Sequence, residues 1–184
     1  MRDRTAIGRA RQKGFTLIEL AIAVGILGII LFYVTQQEDP DKAKAVSMMQ
    51  SANAVASGSA RLRVEAGCFP TRPDALFVQA SAATSTCGLD LRPKWRGPYV
   101  DDSPVNAAGD ILCPNISTTC ALSLRSAAGG AGNQFFVRAS NVPNNVINRA
   151  LESCNGSTTA SGKCIGVPGA GGTGTFDVKY AETT

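Results

Sequence analysis

The chain has no histidine among its 184 residues. That excludes a Ser-His-Asp triad, a Cys-His dyad and any histidine-ligated metal. Its 6 cysteines include no C-x-x-C spacing, so zinc lacks its usual ligand patterns and no metal is expected. No Walker sequence occurs. Gly169-Ala-Gly-Gly-Thr-Gly174 spells G-x-G-x-x-G, but a dinucleotide site needs a strand before that match and a helix after it. Here Pro168 precedes it and a strand pattern follows, which predicts a flexible loop. The residue inventory therefore points to a chain with no catalytic site and no cofactor.

An excess of charge is also missing from most of the chain. There are 18 Lys plus Arg against 14 Asp plus Glu, a net charge of +4. Arg2, Arg4, Arg9, Arg11 and Lys13 against the single acid Asp3 already account for that +4. The remaining residues are neutral overall, so the basic character is a short N-terminal tag and implies no nucleic-acid surface. A hydrophobic fraction of 44% fits neither a disordered chain nor a multi-span membrane protein.

The tag is followed by an apolar run, Phe15 to Val34, in which Glu19 is the only charge. As a helix it would be about 30 Å long, the thickness of a bilayer core. A basic flank before such a run predicts a cytoplasmic N-terminus and an exported remainder. A secretory signal peptide would have a shorter apolar run and a small-x-small cleavage site. The residues after the run, Thr35-Gln-Gln-Glu-Asp-Pro40, contain none, so the run is expected to be retained. Glu19 is costly in lipid and is for that reason a functional candidate. Ala21, Gly25 and Gly28 give the helix a small-residue side that permits close helix packing. The glycines also mark a place where the helix can weaken, by about 1 kcal/mol each relative to alanine.

The segment Lys13-Gly14-Phe15-Thr16-Leu17-Ile18-Glu19-Leu20, behind its basic leader, resembles the processing site of type IV prepilins. The resemblance covers roughly residues 1 to 40. It implies cleavage by a prepilin peptidase between Gly14 and Phe15 and N-methylation of Phe15. It implies a single-pass precursor in the bacterial inner membrane, with its N-terminus in the cytoplasm, that an assembly platform passes into an extracellular filament of identical copies. It also implies that the Glu19 carboxylate meets the Phe15 amine of a neighbouring copy and sets register. Pairing two charges offsets much of the cost of holding either in an apolar setting. The run contains no proline, unlike a frequent pattern of that family.

Glu38-Asp-Pro-Asp41 is expected to interrupt the helix. From Lys42 to about Glu65, Ala45, Met49, Ala52, Val55, Ser59 and Leu62 recur at helical spacing, the mark of a helix packed on a sheet. Met48 and Met49 are core or near-core candidates, and Gly67 is a natural stop. Short strands are expected at 111–112, 121–124, 134–139 and 176–180, with a short helix near 73–80. In the last strand Phe176, Val178 and Tyr180 alternate with Asp177 and Lys179, which predicts an apolar and a polar face. The expected fold is α+β: a long N-terminal helix laid on a small antiparallel sheet in a loop-rich, disulfide-bonded head. The expected parts are a leader at 1–14, a membrane and assembly half at 15–37, a head-packed helical half at 38–67, and a head at 68–184. The segment from Gln134 to Pro143 is similar to an element of type IVb and conjugative pilin heads. The short leader and Phe15 are more similar to the type IVa class.

All six cysteines lie after the apolar run, which suits disulfides in an exported domain. Many pairings are open. Short loops close readily, which favours Cys68–Cys87, Cys113–Cys120 and Cys154–Cys164. The last pair would be similar to the C-terminal disulfide loop of pilins. Arg92-Pro-Lys-Trp-Arg-Gly-Pro-Tyr99 sets cations beside aromatic rings, and Trp95 with Arg96 forms a candidate contact for DNA, carbohydrate or a host surface. The bland alternative is a turn that buries Trp95. The expected function is a structural subunit, a major pilin. The alternatives are a pseudopilin of a type II secretion system and a minor pilin that binds DNA or a receptor.

Overall fold

A computed structural model of the protein describes residues 16–35, 39–129, 132–159 and 162–183. The chain divides into two compact units, Met1–Glu38 and Asp39–Thr184.

In the first unit, α1 spans Leu17–Thr35 and runs unbroken through Gly25 and Gly28. Its described side chains, Leu17 to Leu31, are exposed on every side. That stretch is about 22 Å long. Among the described residues no helix is long and apolar enough to cross a membrane.

In the second unit, α2 spans Pro40–Ala66. The expected interruption lies just before it, and local chemistry explains the start. Asp39 is the N-cap and its carboxylate accepts the Asp41 N–H at 3.0 Å. Pro40 occupies the first turn, where its missing N–H costs nothing. At the far end Gly67 turns left-handed at φ 95° and its N–H returns to the Arg63 carbonyl at 2.7 Å, a glycine stop that an L side chain would strain. The buried stripe is Ala45, Met48, Ala52, Val55, Ala56, Gly58, Ser59, Leu62 and Ala66. Met48 takes the core position expected of Met49, which is half-buried. The stripe is narrow because its residues are small, and that lets other segments lie close. A Cβ on Gly58 would sit 2.8 Å from Val100 Cγ1.

Five antiparallel strands form one sheet in the order β1-β2-β3-β5-β4, with β1 Ile111–Leu112, β2 Ala121–Gly129, β3 Gly132–Pro143, β4 Cys164–Val167 and β5 Thr173–Thr183. β1 covers only Ala121 and Leu122 of β2. Among the described residues no backbone hydrogen bond reaches the outer edge of β2 beyond them. A third helix, α3 at Asn144–Asn155, follows β3 directly. Val146, Ile147, Ala150 and Leu151 are its buried residues. Ile147 and Leu151 press on Gly166 of β4, where a Cβ would lie 2.6 Å from Ile147 Cγ2. α2 and α3 share one core with the inner faces of β3, β4 and β5. The expected short helix near 73–80 is two short 3-10 segments, Pro73–Leu76 and Gln79–Ala83, the second kinked at Ala82.

Two expectations are corrected. Alternation puts Asp177 on a polar face, yet it is buried at 7% exposure. Its register partner on β3 is Arg138, whose guanidinium grips the carboxylate with two bonds of 2.7 and 2.6 Å. The Gly169–Gly174 loop, expected to be free, is tied to α3 by hydrogen bonds. The Asn144 amide donates to the Gly169 carbonyl at 2.9 Å and accepts the Gly169 N–H at 3.1 Å. The Asn144 backbone N–H adds a bond to the Gly172 carbonyl at 3.0 Å.

Candidate functional site

Gly14 and Phe15, the expected processing residues, lie outside the described residues. The described part of that segment begins at Thr16, which closes the start of α1 with Glu19. The Thr16 backbone N–H donates to Glu19 Oε2 at 3.0 Å, and its hydroxyl reaches the same oxygen at 3.1 Å. The Glu19 N–H points back at Thr16 Oγ1 at 3.4 Å. This reciprocal arrangement satisfies helix-start donors that have no partner within the helix. It gives Glu19 a role beyond the one expected from sequence. The signal for it is Thr-x-x-Glu ahead of an apolar run.

Beyond Glu19, α1 is apolar all round. Leu17 is 87% exposed and Leu31 63%. A helix of this kind is covered by lipid or by other protein wherever it is stable. Ala21 is exposed on this helix. Among the described residues a Cβ added at Gly25 or Gly28 would meet nothing within 4 Å.

The structure pairs Cys68 with Cys87, Cys113 with Cys120 and Cys154 with Cys164, and leaves no free cysteine. The first clips the end of α2 to the following loop. The second closes the turn between β1 and β2. The third fastens the end of α3 to β4, where the Asn155 amide also donates to the Cys164 carbonyl at 2.8 Å.

Trp95 and Arg96 part company in the fold. The Trp95 indole N–H donates to the Ala75 carbonyl at 2.8 Å, and its ring meets Tyr99 edge-on with centroids 5.8 Å apart. The Tyr99 hydroxyl accepts the Arg96 N–H at 3.0 Å and donates to the Glu65 carboxylate of α2. Partial burial, with the Glu65 bond adding to it, raises the Tyr99 pKa above its ordinary value. The turn is thus built into the head, whereas the Arg96 side chain is exposed.

Among the described residues no group of three His, Cys, Asp or Glu could hold a metal. Asp177 and Glu182 are taken up by Arg138 and Lys179.

Comparison with known proteins finds one family. Residues 9–34 match the prokaryotic N-terminal methylation motif. No curated protein and no solved structure matches the chain. The match spans the end of the basic leader, Gly14, Phe15, Glu19 and the whole apolar run to Val34. This motif is the class III signal peptide of type IV pilins, whose kind is structural rather than enzymatic. The chain therefore carries a prepilin-type methylation motif over residues 9–34, which supports a type IV pilin-like or pseudopilin precursor.

Proposed function

We propose that the chain is the major structural subunit of a type IV pilus. A prepilin peptidase cuts between Gly14 and Phe15 and methylates the new amine. The mature chain waits in the inner membrane with its N-terminus toward the cytoplasm, held by the apolar run from Phe15. An assembly platform then draws copies into an extracellular filament. Their apolar helices bury one another, and apolar packing supplies most of the cohesion. Glu19 pairs with the Phe15 amine of a neighbour and fixes axial register.

The observation that carries this reading is α1. It is apolar on every side, exposed along its described length, and interrupted by one carboxylate near its start. A helix of that kind suits a protein with two successive apolar environments, lipid and then its own copies. Six cysteines in three disulfides support a filament head over a pseudopilin, a class often poor in cysteine. The inward-bonded Trp95 supports a structural turn over a binding module for DNA or a host surface. No catalytic role is assigned.

Intact mass on sheared surface fibres and on the membrane fraction tests the reading. The expected species begins at N-methylated Phe15, carries its disulfides and dominates the fibres. Finding it only in membranes would overturn the major-subunit reading in favour of a pseudopilin or scarce minor subunit. A chain that keeps residues 1–14 would overturn processing at Gly14.

A further inference from the structure

Most acidic side chains of the head are occupied. Asp39, Asp74, Asp90, Asp177, Glu152 and Glu182 are in ion pairs. Asp41, Glu65 and Asp110 accept bonds from Asn145, Tyr99 and Asn106. Among the described residues of the head, Asp101 and Asp102 are the two acids with no side-chain partner, and both are exposed. Of the cations in the 92–96 turn, Arg92 is held by Asp90. Lys94 and Arg96 have no ion pair among the described residues and are exposed.

These two sets stand at opposite ends of one strap. Gly97–Ser103 runs along α2, with Tyr99 and Val100 close over Gly58. Lys94 and Arg96 lie beside Glu65. Asp101 lies beside Ser51 and Ala54. Those levels are about 16–21 Å apart along the helix, so the two sets cannot neutralise each other within one chain. The acidic end also opens on a cleft of about 230 Å³, walled by Ser47, Ser51, Asp101, Ser103 and Asn115 over an Ile116 floor. A carboxylate and hydroxyls above an apolar floor suit a long cationic side chain, whose methylene stem packs while its charged head is bonded.

We propose that this cleft receives the Lys94–Arg96 turn of a second copy of the same chain. The two surfaces differ, so the contact is heterologous, and repeating it yields an open polymer. The inference rests on the filament reading above and names a head-to-head contact within it, separate from the apolar helices. Its charges would select register and reject misplaced neighbours.

The test uses the full chain in assembled fibres. Asp101→Lys with Asp102→Lys, and separately Lys94→Glu with Arg96→Glu, should each lower fibre yield about tenfold by placing like charges together. Combining all four changes restores opposite charges and should return the yield to within about threefold of wild type. In parallel, carbodiimide treatment of wild-type fibres should join Lys94 to Asp101 or Asp102 between copies, read as a cross-linked peptide in a multimer ladder. Yields unmoved by either reversal, a fourfold variant no better than the two doubles, or a wild-type ladder without that peptide would overturn the contact while leaving the filament reading intact. A wild-type chain that forms no polymer would overturn both.

Discussion

Glu19 and Thr16 hold one another at the start of α1, with the carboxylate accepting both the N–H and the hydroxyl of Thr16. Glu19 therefore has a neutral use within its own chain as well as the charged one proposed between copies. Glutamine separates them, because its side-chain oxygen can still cap. Glu19→Gln is expected to keep the helix start and yet lose fibre yield nearly as far as Glu19→Ala. Yield of sheared fibres checks this, with membrane levels of the precursor as the control. Wild-type yield from either variant would remove the register pair.

Among the described residues Arg138 is the sole ion-pair partner of Asp177, whose side chain is 10% exposed. Arg138→Met leaves a largely buried carboxylate without its cation, at a cost of about 2–4 kcal/mol. Arg138→Met with Asp177→Leu should recover most of that loss. Urea unfolding of the full chain in detergent measures both.

Tyr180 gives a pH dependence with a definite sign. Burial pushes its pKa up from 10.0 to about 12. The folded state therefore holds the phenol proton more tightly than the unfolded state does. The associated stability is fully present below pH 10 and is lost as pH rises through about 12. The loss is on the order of 2–3 kcal/mol. Unfolding curves collected across that window should fall for the wild type and fall less for Tyr180→Phe.

Removing Cys154–Cys164 as a pair of serines should cost about 2–3 kcal/mol and open the loop between α3 and β4. Asn155 still bridges that loop through its bonds to Cys164. Adding Asn155→Ala should therefore make the residues from Gly156 to Lys163 newly sensitive to protease, read by limited digestion and mass.

Much of the architecture is legible from residue spacing. The small-residue stripe on α2, the Gly67 stop and the alternating apolar positions of β5 are local patterns, and each is formed by contacts with a face of fixed period. α3 escapes a reading by spacing although Val146, Ile147, Ala150 and Leu151 repeat at helical intervals. Pro143 and the two asparagines after it, with Cys154-Asn-Gly at the far end, are turn-forming residues that mask a short helix. β4 escapes because four residues containing Gly166 carry no period, and their place comes from β5 and α3, distant in sequence. Alternation puts Asp177 on the wet side because it does not reveal which partner lies opposite, and Arg138 stands 39 positions earlier. At the N-terminus the processing motif is plain, whereas the Thr16 bond is overshadowed by the apolar run. The isolation of Asp101 and Asp102 is invisible in sequence, since it emerges only when every other acid in the head is seen to be occupied.

The unequal lengths of β1 and β2 leave the head with an unfinished side. From Ser123 to Gly129 only Arg125 carries a charge, and among the described residues no backbone hydrogen bond takes up the outer edge there. Uncovered edges of this kind recruit extended chains without regard to sequence. A head concentrated in solution should accordingly gel or precipitate by strand-to-strand addition, and a lysine placed at Ala127 should be the simplest means of keeping it dispersed.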